Sequence, residues 1–159
     1  MSRKNNYGQT VFEQLEIRTF LSTVNIFDFG ARPNDGINDA GAIANAVRAT
    51  AAGDTILFPA GVTDLQNGFT VPGNRIYQGQ SGAIIRGRHA QGFLMHLEGD
   101  NAAVKGLTFE GGGLFIDRLG GGRVSNILVD GNTFRLNSPG GDKNRPGVAR
   151  LKRLMIVHS

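Results

Sequence analysis

Two segments of this chain, 20 residues apart, carry the same pattern, and that repeat constrains the fold more than any other feature. Residues 104–111 read VKGLTFEG and residues 124–131 read VSNILVDG. Apolar falls on apolar at 104/124, 107/127 and 109/129, acid on acid at Glu110 and Asp130, and Gly on Gly at Gly111 and Gly131. Ile85-Arg86-Gly87 matches Phe109-Glu110-Gly111 more loosely, at a spacing of 24. A repeat this short cannot bury its apolar side chains alone and must stack on its neighbours. A period of 20–24 residues suits one turn of a parallel β-coil. Like residues then stack on the turn above, about 4.8 Å away. A leucine-rich repeat has a similar period, but its Leu-x-x-Leu-x-Leu signature is missing.

Composition agrees with short strands and tight turns. Gly accounts for 24 of 159 residues, about twice the usual share, without the three-residue period of collagen. The length suits one domain. With no Cys, a disulfide framework and a Cys-based zinc site are both excluded. No run approaches the length of a membrane-spanning helix.

The rest of the chain divides into three parts. Residues 1–23 read as an N-terminal arm or targeting segment, with a polar start and an amphipathic stretch interrupted by Glu13, Glu16 and Arg18. Residues 24–138 read as the coil. VNIFDF, residues 24–29, alternates as a strand. Asp39 is placed to cap a helix over residues 40–52, with Gly53 as its stop. Strands follow at 55–58, 69–71, 75–78, 83–86, 93–98, 104–109, 114–116 and 124–134, each ended by Gly, Pro or Asn. In residues 93–98, Phe93, Met95 and Leu97 alternate against Leu94, His96 and Glu98, with His96 outward. Residues 139–159 form a basic tail unlike further turns.

The charge sits in that tail. Residues 1–138 hold 12 Lys or Arg and 12 Asp or Glu, whereas residues 139–159 hold five bases against Asp142. A basic tail without aromatic residues on a neutral body argues against a nucleic-acid partner. Two readings of the tail are open. It is the altered end of a truncated coil, or it folds back as a cap through Leu151, Leu154, Met155, Ile156 and Val157.

Residues 24–61 resemble the N-terminal signature of the pectate lyase superfamily. The resemblance is carried by Asp28-Phe29-Gly30-Ala31, Asp35-Gly36, Asn38-Asp39, an Ala-rich helix, and Phe58-Pro59-Ala60-Gly61. It implies a right-handed parallel β-helix, an all-β fold with one N-terminal helix plugging the coil. The function it implies is action on acidic, uronate-containing polysaccharides by lyase or glycoside hydrolase chemistry. The alternatives are a non-catalytic glycan-binding or cell-surface module and an inactive fragment. Upstream, FEQLEIRTFLS is similar to the Leu-Glu-Pro-Arg-x-Leu-Leu segment of some exported bacterial proteins, with Ile17 in place of the Pro. Both resemblances imply a secreted or cell-surface location.

Candidate chemistry is sparse. Glu110 and Asp130, at matched repeat positions, read either as a stacked pair able to bind calcium or act as acid and base, or as solvated corners. Asp117, Arg118 and Arg123 lie around the Gly120-Gly121-Gly122 turn and read either as a guanidinium site that holds a uronate carboxylate or serves as a lyase base, or as charges that keep a loop soluble. His89 and His96 lack metal-ligand neighbours and read as surface residues. Asn126 and Asn132 fit turns where side-chain amides satisfy backbone groups of neighbouring turns. No Ser-His-Asp arrangement is visible, and no polygalacturonase motif is present, since Phe134 stands where Asn132-Thr133 would need an Asp after it. Beyond the open question of calcium, no cofactor is indicated.

Overall fold

The computed structural model describes residues 21–88, 93–118, 122–136 and 147–156. They wind as a parallel β-solenoid of about three turns with a single helix. Strand β1 (Thr23–Asn25) opens it. The turns that follow are β2 (Thr55–Phe58), β3 (Gly61–Leu65) and β4 (Phe69–Pro72), then β5 (Ile76–Gly79), β6 (Ala83–Gly87) and β7 (Phe93–Glu98). The next is β8 (Ala102–Lys105), β9 (Thr108–Glu110) and β10 (Gly113–Asp117). Each strand pairs in parallel with its counterpart one turn on. A first face therefore stacks β1, β2, β5 and β8, a second β3, β6 and β9, and a third β4, β7 and β10. Strand β11 (Ile127–Leu136) joins two faces: Ile127–Asp130 pair with β8 and Thr133–Arg135 with β9.

Alternation sends every second side chain inward, and the register lines these up in columns. Val24, Ile56, Tyr77, Val104 and Val129 form one such column on the first face. Thr63, Ile85, Phe109 and Phe134 form another on the second, and Val71, Leu97 and Ile116 one on the third. These columns build one shared core.

The 20-residue match is not the structural register. Val104 lies opposite Val129 and Phe109 opposite Phe134, a spacing of 25. In that register VKGLTF falls on VDGNTF, with Gly106 and Gly131 together at the corner between faces. The looser spacing of 24, from Ile85 to Phe109, is a true register. The corners differ in length, so no single offset serves all faces: His96 to Phe115 is 19 residues, whereas Gln78 to Lys105 is 27. The strand expected at 104–109 is likewise two strands, split where Gly106 takes a φ of 63°.

The opening turn departs from a continuous strand at 24–29. Asn25 Oδ1 accepts the Phe27 N–H at 3.0 Å and starts a 3₁₀ turn over Ile26–Phe29. Helix α1 (Ala40–Arg48) is shorter than residues 40–52, because the Thr50 hydroxyl donates to the Val47 carbonyl at 2.7 Å and closes it early. Asp39 is the N-cap residue, its carbonyl accepting Ile43 N–H at 3.1 Å, but its side chain makes no capping bond; the carboxylate instead accepts the N–H groups of Arg32 at 3.0 Å and Asp64 at 3.2 Å. Asn38 bridges to Asp64 of β3, and α1 lines a groove with Phe69 and Thr70 of β4. The helix thus stands, in the opening turn, where later turns place the third strand. It buries Ala42, Ile43 and Ala46 in the core.

Asparagines tie the turns together. Asn74, Asn101 and Asn126 share left-handed φ values of 53–55°. Each amide reaches the next: Asn101 Nδ2 donates to Asn74 Oδ1 at 3.1 Å and Asn126 Nδ2 to Asn101 Oδ1 at 2.8 Å. Left-handed backbone is one that Asn tolerates, so the corner and the ladder select the same residue. Asn132 is buried and bonds the backbone of the previous turn, accepting from Leu107 N at 2.9 Å and donating to Val104 O at 2.8 Å.

Of the basic tail, residues 147–156 are described and turn back along the coil. Strand β12 (Gly147–Ile156) runs antiparallel along β11, from Leu136 opposite Gly147 to Ile127 opposite Ile156. The N-terminal arm with its export-type segment (residues 1–20), His89, Gly120 and Gly121, residues 137–146, and residues 157–159 with Val157 lie outside the described residues.

Candidate functional site

The third face carries two exposed aromatic rings, Phe93 and Phe115. Its outward positions are in register across turns: Thr70, His96 and Phe115 form one column, and Pro72, Glu98 and Asp117 the next. Phe93 was expected inward beside Met95 and Leu97, but lies outside, and Leu94 takes a buried place instead. The cause is a register shift between Gly113 and Leu114. Gly68 seats the Phe93 ring, since a Cβ there would meet Phe93 O at 2.5 Å and ring carbons at 2.9 and 3.0 Å.

Three rings meet on this face. Centroids are 5.5 Å apart for Phe93 and His96, 5.3 Å for His96 and Phe115, and 6.2 Å for Phe93 and Phe115. Phe93 is 41% exposed and Phe115 49%, whereas the His96 side chain is only 14% exposed. His96 Nε2 lies 2.5 Å from Asp117 Oδ1, and Nδ1 lies 3.4 Å from the Thr70 hydroxyl. An ionised carboxylate only accepts, so Nε2 donates. In the neutral ring Nδ1 then faces Thr70 as the acceptor. His96 is therefore a fixed member of a hydroxyl–imidazole–carboxylate line rather than a free surface residue. The three come from separate turns, 26 and 21 residues apart, which is why no sequence motif announces them. Thr70 also lines the groove beside α1, so groove and rings are continuous.

The residues singled out from the sequence fall in different places. Glu110 and Asp130 are not a pair. Glu110 lies on the second face between Arg86 and Arg135, 3.6 Å from Arg135, and Asp130 lies on the first face opposite Lys105. Asp64, Arg86, Glu110 and Arg135 thus form a column of alternating charge up the second face. The stacked-carboxylate reading, and with it the calcium site, loses its geometry. Among the described residues no group of three or more His, Asp or Glu is placed to hold a metal ion. Asp117 belongs to the aromatic face through His96. Arg118 is paired with Asp100, whose other oxygen accepts Ser125 N–H at 2.8 Å.

A second charged cluster is structural. Asp64, with its side chain 2% exposed, accepts from Arg86 at 2.9 and 3.0 Å and from Arg88 at 3.3 Å. Burial alone would raise its pKa, but the two guanidiniums outweigh burial and hold it below the ordinary value of 3.8. A depressed carboxylate contributes stability above its unfolded pKa and loses it as pH falls through the folded value. Asp64→Asn is therefore expected to cost about 1–2 kcal/mol at neutral pH, the half-exposed arginines limiting the loss. The gap to wild type should narrow below pH 3.8 in urea melts across pH, and a gap independent of pH would refute the assignment.

Among the described residues no helix is long and apolar enough to cross a membrane. Comparison with protein-family models, with curated proteins and with solved structures finds no match to this chain.

Proposed function

We propose that this chain is a polysaccharide-binding β-solenoid that holds an extended glycan along its third face. The observation that carries the reading is the cluster of Phe93, His96 and Phe115, exposed on a sheet face whose turns are in register. Sugar rings have apolar C–H faces edged by hydroxyls. Aromatic faces receive the former, and nearby polar groups such as Thr70 and Asp117 bond the latter. The groove beside α1 lengthens the track, which suits a polymer. The resemblance of residues 24–61 to the pectate lyase superfamily supports the same class of ligand, and a polymeric ligand agrees with a secreted or cell-surface location.

Double replacement of Phe93 and Phe115 by Ala tests this. Affinity for the bound polysaccharide should fall at least tenfold, as expected when two aromatic anchors go. Stability should change by less than about 1 kcal/mol, because both side chains are already exposed. Wild-type binding by the double variant, or no retention of the wild type on any polysaccharide, would refute the reading.

A second reading adds chemistry on the same face. It rests on His96, whose Nε2 is bonded to Asp117 and whose Nδ1 is the acceptor nitrogen of the neutral ring. Such a base beside a bound glycan suits the lyase or hydrolase activity that the resemblance implies. Product release by wild type and its loss in His96→Asn, with binding retained, would support catalysis. Binding without product would leave the module non-catalytic.

A further inference from the structure

Resting on the glycan reading, we infer that the third face selects a polymer bearing amine groups over one bearing carboxylates. The aromatic rings define where the ligand lies, and the charges beside them define what it carries. Glu98 and Asp117 stand directly opposite each other in adjacent strands of this face. Neighbouring strands are about 4.8 Å apart, and like charges so placed repel. Both share the outward side with His96 and Phe115, two residues earlier in each strand. Asp117 is engaged by His96.

Among the described residues, several cations are held by other groups. Arg118 is held by Asp100, Arg86 and Arg88 by Asp64, and Arg135 by Glu110. Lys105 lies opposite Asp130 on the first face. Arg48 lines the groove beside α1, where it bonds the Ala44 carbonyl and the Asn45 side chain. A ligand over Phe93 and Phe115 therefore meets two carboxylates. An ammonium group is attracted by them and by the ring faces, whereas a uronate is repelled. The whole chain carries a net charge of +4, which favours polyanions. Local and overall fields thus rank the same ligands in opposite order.

The test measures binding at fixed salt to three polymers of equal length: a deacetylated hexosamine polymer, its N-acetylated form and a uronate polymer. Wild type should hold the amine polymer about tenfold tighter than the acetylated one, with the uronate polymer weakest. Glu98→Gln should remove most of that preference by weakening the hold on the amine polymer. Uronate binding equal to or tighter than amine binding would overturn this inference and leave the glycan reading standing. Equal affinity for the amine and acetylated polymers would do the same. Binding to none of the three would overturn both.

Discussion

Phe109→Ala is expected to cost about 3–5 kcal/mol of folding free energy, the range for deleting a buried aromatic ring. Phe109 is fully buried and stacks on Phe134 with centroids 5.1 Å apart and planes 8° from parallel. It is also the third member of the column Thr63, Ile85, Phe109 and Phe134. In a solenoid each turn buries its inward side chains against the turns on either side. A cavity at this position therefore loosens β6 and β11 together, with little freedom to collapse around it. Domains of this size have about 5–15 kcal/mol in hand, so the variant should retain a small fraction of the wild-type margin. Urea unfolding followed by circular dichroism reads this as a large fall in midpoint at an unchanged m-value. Phe109→Leu should recover more than half of the loss. A loss below about 1.5 kcal/mol for the Ala variant would show that Phe109 and Phe134 do not meet in solution.

That pair also shows how much of the fold the sequence displays. The parallel coil follows from short apolar segments that need stacking, and the helix between β1 and β2 from an Ala-rich run after Asp39. The register does not follow so directly. Matching residues 104–111 to 124–131 preserves apolar parity but crosses a corner, because corner loops vary while strands stay similar in length. The VxGxTF match at a spacing of 25 was present in the letters, and Phe109 over Phe134 confirms it. β3 was missed because Pro59-Ala60-Gly61 reads as a turn and Gly61 in fact begins a strand. The aromatic face was least legible. Thr70, His96 and Asp117 come from three turns with unequal spacing, and Phe93 is turned outward by a bulge that no residue type announces. Asp117 stands out in the sequence beside its Gly-rich turn, but its partner does not, since the distance from His96 to Asp117 depends on the register.

Asn132→Ala is expected to cost about 2–4 kcal/mol, although it removes only a small polar side chain from the last parallel turn. Asn132 is 2% exposed and occupies the corner just after Gly131, at the position where the previous turn has Leu107. Its carbonyl oxygen accepts the Leu107 N–H and its amide donates to the Val104 carbonyl. The corner interrupts the strand-to-strand ladder here, so the side chain supplies bonds that the backbone would otherwise provide. Truncation leaves those two buried groups short of a partner, at about 1–3 kcal/mol each, in a space too apolar to admit water cheaply. Asn132→Asp keeps the acceptor but loses the donor and buries a charge, so it should be at least as damaging at neutral pH. It should recover as pH falls and the acid becomes a neutral donor. Asn132→Leu restores volume without hydrogen bonds and separates packing from polarity. If the Leu variant matches wild type in urea unfolding, the corner depends on filling space and the amide bridge is dispensable. If it falls with the Ala variant, the bridge fixes the register between β8 and β11, and with it the 25-residue spacing that seats Phe134 on Phe109.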